Sequence, residues 1–196
     1  MSEQVLTLGE SLKDRARAAL GARNLVLVGL MGAGKSSIGR LVANQLGIPF
    51  VDTDIEIERV SRMTIAELFA AYGEEEFRAL ETRVIKRLLK GGPRVVSTGG
   101  GAFINARTRR HVKRSGLSVW LKADLDVLWE RVGKRETRPL LKTDNPKQTL
   151  ERLMTARYPI YAEADLVVWS RDVSKEIMVK EVLEAMTEGR QESTTP

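Results

Sequence analysis

Residues 29–36 read GLMGAGKS, which satisfies G-x-x-x-x-G-K-[ST] at every fixed position. Just before them, NLVLVG (residues 24–29) is a continuous apolar run of the kind that forms a fully buried strand. Just after them, Ile38, Leu41, Val42 and Leu46 share one helical face, closed by Gly47 and then Pro49. Strand, glycine loop and helix in that order let backbone N–H groups converge on phosphate oxygens, with the helix N-terminus adding partial positive charge. In this reading Gly32, Ala33 and Gly34 line the cradle and Lys35 supplies a point charge to the β- and γ-phosphates. The Ser36 hydroxyl becomes a ligand for Mg²⁺. Ser37 is either a further phosphate contact or part of the helix surface. The alternative for the whole stretch is a glycine-rich turn with an exposed lysine.

Outward from this loop, short apolar runs alternate with helical periodicities. PFVD (residues 49–52) reads as a short strand. Thr64-x-x-Glu67 is a capping box, with Met63 placed to staple onto Leu68, so a helix starts near Ile65. A second helix spans about 74–89, turning Phe77, Leu80, Val84, Ile85 and Leu88 inward. Residues 94–98, 117–121 and 165–169 read as further strands. Asp124 caps a helix reaching about Val132, Asn145-Pro146 opens another, and a last one covers about 175–186. The alternation predicts one α/β domain with a parallel sheet covered on both faces, whose ligands bind beyond the carboxyl ends of the strands. Residues 1–23 read as an N-terminal extension, helical through a weak stripe of Leu12, Ala16, Ala19 and Leu20, or else disordered. Residues 188–196 read as a frayed tail.

Composition narrows the function. The 196 residues are 42% hydrophobic, enough for a substantial core. The longest apolar stretch, residues 25–33, is broken by glycine and too short to span a membrane. The N-terminus lacks the apolar run of a signal peptide, so a cytoplasmic protein without a membrane partner is expected. The absence of cysteine excludes disulfides and thiolate metal sites. The net charge of +6 fits a nucleic-acid surface or a pocket for small anions. Aromatics are only 5% and do not interleave with basic residues, so small anions are favoured and no nucleic-acid partner is expected. ARTRRHVKR (residues 106–114), which contains the single histidine, His111, reads as one solvated helix face.

Three further patterns bear on chemistry. Asp52-Thr53-Asp54 ends the second strand, and aspartates at i and i+2 of a strand share a face. Either one of them caps the following helix, or the pair serves phosphoryl transfer. In the second case Asp52 holds a water of the Mg²⁺ shell, and Asp54 accepts a hydrogen bond or proton from an attacking hydroxyl. STGGG (residues 97–101) sets three glycines at a strand end, for a tight turn or for close approach of a ligand. Arg78 flanks the buried stripe of its helix and is either solvated or aimed into a cleft.

Taken in order, GLMGAGKSSIGR, DTD, EEEFR (residues 74–78), STGGG, RPLL (residues 138–141) and ARYPIYAEAD (residues 156–165) resemble the shikimate kinase family over residues 24–187. The resemblance implies a three-layer α/β fold of the P-loop kinases, with a lid and a five-stranded parallel sheet in order 2-3-1-4-5. It implies transfer of the γ-phosphoryl of ATP to the 3-hydroxyl of shikimate, with Mg²⁺, in the synthesis of chorismate and aromatic amino acids. ATP and shikimate are then the small-molecule partners, and a monomer is expected. By the same resemblance Lys35, Asp54 and Arg138 are catalytic, Asp54 also binding the ring hydroxyls. Asp52 lies near the magnesium shell through water, and Arg78 and Arg157 hold the substrate carboxylate. Gly99, Gly100 and Gly101 let the ring lie against backbone, with the Gly100 N–H as the expected contact. Residues 133–146 become a lid whose Arg138 reaches the phosphates, though on their own they read equally as a solvated loop. Arg131 stacks on adenine, and Arg171, after the last strand, is a looser adenine contact. Trp129 has the spacing of a core residue. Two rivals remain: another small-molecule kinase on the same scaffold, such as one for gluconate or nucleoside monophosphates, and a nucleotide-binding regulatory or nucleic-acid module.

Overall fold

The structure, a computed structural model, describes residues 11–133 and 144–189. Arg138, most of the expected lid, residues 1–10 of the extension and residues 190–196 of the tail lie outside the described residues.

Five parallel strands form one sheet: β1 (Asn24–Val28), β2 (Phe50–Asp52), β3 (Val95–Ser97), β4 (Gly116–Lys122) and β5 (Leu166–Trp169). Their order is β2-β3-β1-β4-β5, as expected. Central β1 pairs Leu27 with Ser97 on one side and with Val119 on the other. All five of its residues are buried, because a parallel strand covered by helices on both faces cannot alternate apolar with polar. The covering helices are α1 (Leu12–Leu20), α2 (Lys35–Leu46), α3 (Thr53–Ser61), α4 (Ile65–Leu89), α5 (Ala106–Ser115), α6 (Leu125–Gly133), α7 (Pro146–Tyr161) and α8 (Lys175–Glu188), with a short 3-10 turn at Ala102–Ile104. None of the described helices is long and apolar enough to cross a membrane.

Local signals fix several boundaries. Thr64 and Glu67 form the reciprocal capping box that starts α4. Gly73 (φ 77°, ψ 176°) breaks α4 into the two helical pieces that the sequence predicts. Asn145 caps α7 with Pro146 in its first turn.

One expectation is revised. The second strand ends at Asp52 rather than running through Asp54, so the two carboxylates do not share a strand face. Asp52 instead caps α3, its Oδ1 accepting from the Asp54 N–H at 3.0 Å, and Asp54 sits in the first turn of that helix. The short aspartate side chain satisfies one orphan donor of the helix end, which favours turning over a longer edge strand. Within the N-terminal extension, residues 12–20 form α1 against α8 and α2, and Ala16 and Leu20 are fully buried in the main core. A smaller apolar cluster of Ile57, Leu68, Phe77, Val84 and Leu88 joins α3 to α4 beside the sheet.

Candidate active site

The carboxyl ends of β1, β2, β3 and β5 open into a cavity of about 800 Å³. On its β1 side, Gly32 (φ 85°) and Gly34 (φ 90°) hold the left-handed backbone that a phosphate loop needs. A Cβ on Gly32 would also lie 2.8 Å from Val132 Cγ2. Helix α2 begins at Lys35 with no side-chain cap, which leaves its first N–H groups for an anion. Lys35 is buried, and its Nζ donates to the carbonyls of Gly29 and Leu30, both at 2.8 Å. Ala33 is buried, whereas Ser36 and Ser37 face the cavity.

Ser36 Oγ donates to Asp52 Oδ2 at 2.6 Å and lies 3.2 Å from Ser97 Oγ. One aspartate thus caps α3 with one oxygen and meets the phosphate loop with the other. A hydroxyl and a carboxylate are hard oxygen donors of the type Mg²⁺ takes beside phosphate and water, so these residues fit that ion. Sequence reasoning missed the buried Ser97 in this group.

Arg131 reaches across to the turn after β5. Its Nη1 donates to Ser170 Oγ at 2.8 Å and to the Gly32 carbonyl at 3.3 Å, and its Nη2 donates to the Arg171 carbonyl. Buried Ser170, also missed from sequence, donates in turn to the Ala33 carbonyl at 3.0 Å. Arg171 pairs with Glu181 and lines the cavity beside Asp172 and Val173.

The opposite wall is built around the three glycines. None of them has positive φ, so conformational freedom is not their reason. Close approach is: a Cβ at Gly99 would lie 2.7 Å from Asp54 Oδ1 and 3.0 Å from Glu81 Oε1, and one at Gly101 would lie 2.6 Å from Arg78 Cζ. The glycines make room for side chains of the site itself. Asp54 lines the cavity with Gly99 and Gly100. Arg78, Arg157 and Gly101 are not on its wall but adjoin it: Arg78 rests on Gly101, and Arg157 Nη1 donates to the Gly100 carbonyl at 3.2 Å.

Glu81 is the residue that sequence reasoning should have found. It falls on the inward face of α4 with Phe77, Val84 and Ile85, where a carboxylate is out of place unless it has a task. It is buried and accepts from Arg78 Nη1 at 2.8 Å through Oε2. Burial pushes its carboxyl above the ordinary range; Arg78 opposes the shift, Asp54 adds to it and Arg157 opposes it. Burial weakens the Arg78 cation, but Glu81 and then Glu74 more than offset this and hold its pKa above the usual value. Four charged groups from three helices therefore meet over a glycine floor. His111, in contrast, lies outside the cavity, its pKa lowered by burial and by Lys86, Arg114 and Arg110.

A phosphate loop on β1 beside acceptor groups gathered at the end of neighbouring β3 is the layout of a P-loop kinase acting on a small molecule. The family model described as shikimate kinase matches residues 31–187, and the chain belongs to that family, whose members are ATP-dependent kinases acting on shikimate. A shikimate kinase of Rhizobium leguminosarum bv. trifolii is 79% identical over 193 residues, covering 98% of each chain. One of Rhizobium meliloti is 70% identical over 96% of this chain and 98% of the relative. Among solved structures, the shikimate kinase from Acinetobacter baumannii in complex with shikimate superposes with a TM-score of 0.83 at 35% identity, covering 88% of this chain and 97% of that one. A gluconokinase from Sinorhizobium meliloti reaches a TM-score of 0.59 at 18% identity, a likeness of fold alone.

Proposed function

We propose that the chain seats ATP on the loop before α2 and shikimate on the glycine floor after β3, and transfers the γ-phosphoryl to the 3-hydroxyl, giving shikimate 3-phosphate and ADP. The observation that carries this reading is the convergence of Asp54, Arg78 and Arg157 on residues 99–101, beside Lys35 and Ser36. Phosphoryl transfer asks for a positioned nucleophile and for compensation of charge on the moving group. Asp54 orients the acceptor hydroxyl and takes its hydrogen bond or proton. Arg78 and Arg157 offer planar guanidinium forks that match a carboxylate with paired hydrogen bonds, a task a lysine cannot do. Gly100 brings its N–H to the ring. On the nucleotide side, Gly32, Ala33, Gly34, Ser36 and Ser37 hold phosphate oxygens, Lys35 lowers the cost of charge on the γ-phosphoryl, and Arg131 and Arg171 flank the base. Arg138 adds a second cation from the segment at 133–146. Mg²⁺, bound at Ser36 and through water at Asp52, would neutralise phosphate charge.

The rival within the same scaffold, a gluconate or nucleoside monophosphate kinase, does not require two arginines and a triple glycine on the acceptor side. A coupled assay of ADP release with shikimate, gluconate and nucleoside monophosphates separates them. Release driven by shikimate alone is expected, and its absence would sink the assignment. Arg157→Lys should raise the KM for shikimate by about tenfold or more while ATP is little affected, since hydrogen bonds to a charged group are lost. We read the enzyme as a cytoplasmic monomer; sedimentation of the purified protein tests its oligomeric state.

A further inference from the structure

Tyr158 and Tyr161 are neighbours on α7, each packed against Trp120, with ring centroids 4.9 Å and 5.9 Å away. Each hydroxyl donates to a backbone carbonyl: Tyr158 to Ala123, after β4, and Tyr161 to Gly100. Burial pushes both phenols up to about 12, so both remain donors through the neutral range. Their surroundings differ. Tyr161 is fully buried and also packs against Phe103, and the Arg157 cation beside it opposes the rise of its pKa. Arg157 and Tyr161 thus share the Gly100 carbonyl. That carbonyl belongs to the planar peptide joining Gly100 to Gly101, and Gly101 is the seat of Arg78.

We propose that Tyr161 is a positioning residue of the acceptor site: its hydroxyl fixes the Gly100 peptide and the plane of Arg157, and through them presents both arginines to the carboxylate of the acceptor. The inference rests on the carboxylate clamp proposed above. A buried ring wedged between Trp120 and Phe103 has little freedom, so the hydroxyl places its partners without moving itself. A phenylalanine keeps the ring and its packing and removes only the shared bond.

The test compares Tyr161→Phe with Tyr158→Phe, two losses of a phenol-to-carbonyl bond on one helix. Tyr161→Phe should raise the KM for shikimate about tenfold, the expected consequence of losing one of the two hydrogen bonds at the shared acceptor. Its KM for ATP and its kcat should stay within about twofold, because the lost interaction is uniform binding of the acceptor. Tyr158→Phe should lower the melting temperature and move neither KM. An unchanged KM for shikimate in Tyr161→Phe, or equal rises for both substrates, would overturn the proposal. Should Tyr161→Phe fail to fold, the tyrosine ultraviolet difference spectrum of the Tyr158→Phe protein on adding shikimate decides. A perturbation is expected, and its absence overturns the role. Arg157→Lys, measured alongside, separates the two levels. If it leaves shikimate binding intact, the clamp and the role of Tyr161 fall together; if it weakens binding while Tyr161→Phe does not, only the role of Tyr161 falls.

Discussion

In the phosphate loop of the cleft the groups come from consecutive residues, Gly32 to Ser37, whereas the opposite wall draws Asp54 from α3, Arg78 and Glu81 from α4, three glycines from the end of β3 and Arg157 and Tyr161 from α7. The first is mostly backbone: its donors are fixed by φ at Gly32 and Gly34 and by the start of α2, and any chain with this loop on a buried strand presents them. The second is mostly side chain, and its charges are held against one another in a buried place. The gluconokinase shares the fold alone, at 18% identity.

The largest effect that would test this division is at Asp54. Asp54→Asn keeps the volume and removes the acceptor of the hydroxyl proton, so kcat should fall by at least about a hundredfold, within the range of general-base contributions. ATP affinity, measured by nucleotide binding in the absence of acceptor, should be unaltered. A near-normal kcat would remove Asp54 from the chemistry.

The glycine floor gives the next test. The atoms that a Cβ would strike at positions 99 and 101 are the ends of flexible side chains, so the side chains should yield before the fold does. Gly101→Ala should push Arg78 aside and raise the KM for shikimate about thirtyfold, the worth of a charge-assisted contact. Gly99→Ala should displace Asp54 and lower kcat instead. Both should keep a near-normal melting temperature. If either variant unfolds, or if both shift the same kinetic constant, the floor is a structural turn rather than a seat for the two groups.

The contrast between the sides also accounts for what the sequence made legible. Eight residues at 29–36 announced the cradle because the requirement is local: a left-handed glycine, a lysine and a hydroxyl at fixed spacing on a strand-to-helix turn. Strand order 2-3-1-4-5 and the proposed roles of Arg78 and Arg157 came only through family resemblance, since no local rule says which helices meet over β3. A helix after Asp52 is only one of two alternatives in the sequence because Asp52 and Asp54 fit a strand face as readily as a cap, and burial of Ile57 settles the matter only in three dimensions. Ser97, Ser170 and Tyr161 were invisible for a related reason. Each acts through a partner 39 to 61 residues away, namely Ser36, Arg131 and Gly100. Glu81 was legible in principle, as a carboxylate at an inward helical position.

Glu81 sharpens the comparison by pH. Its folded pKa lies above the ordinary 4.5, first through burial, so the native state keeps the proton to higher pH than the unfolded chain does. The stability it contributes is therefore complete below about pH 4.5 and is lost as pH rises through the folded value. Glu81→Gln should flatten that decline in melting temperature with rising pH. It should also raise the KM for shikimate about tenfold, because Arg78 loses its charged inner partner and keeps only the exposed Glu74. A variant with an unchanged pH slope would show that Glu81 is ionised at little cost in the folded protein.

The smallest effect belongs to the nucleotide side. Ser170 accepts from Arg131 and donates to the Ala33 carbonyl, so it ties the turn after β5 to the phosphate loop. Removing the hydroxyl leaves Arg131 two backbone acceptors, the Gly32 and Arg171 carbonyls, and leaves the φ angles that shape the loop untouched. Ser170→Ala should therefore raise the KM for ATP only about threefold, at the low end of a net hydrogen-bond contribution because Arg131 keeps its backbone acceptors, and leave the KM for shikimate alone. A loss as large as that of Gly101→Ala would mean that the nucleotide side, too, depends on single side chains, and the division between a backbone-built half and a side-chain-built half would not stand.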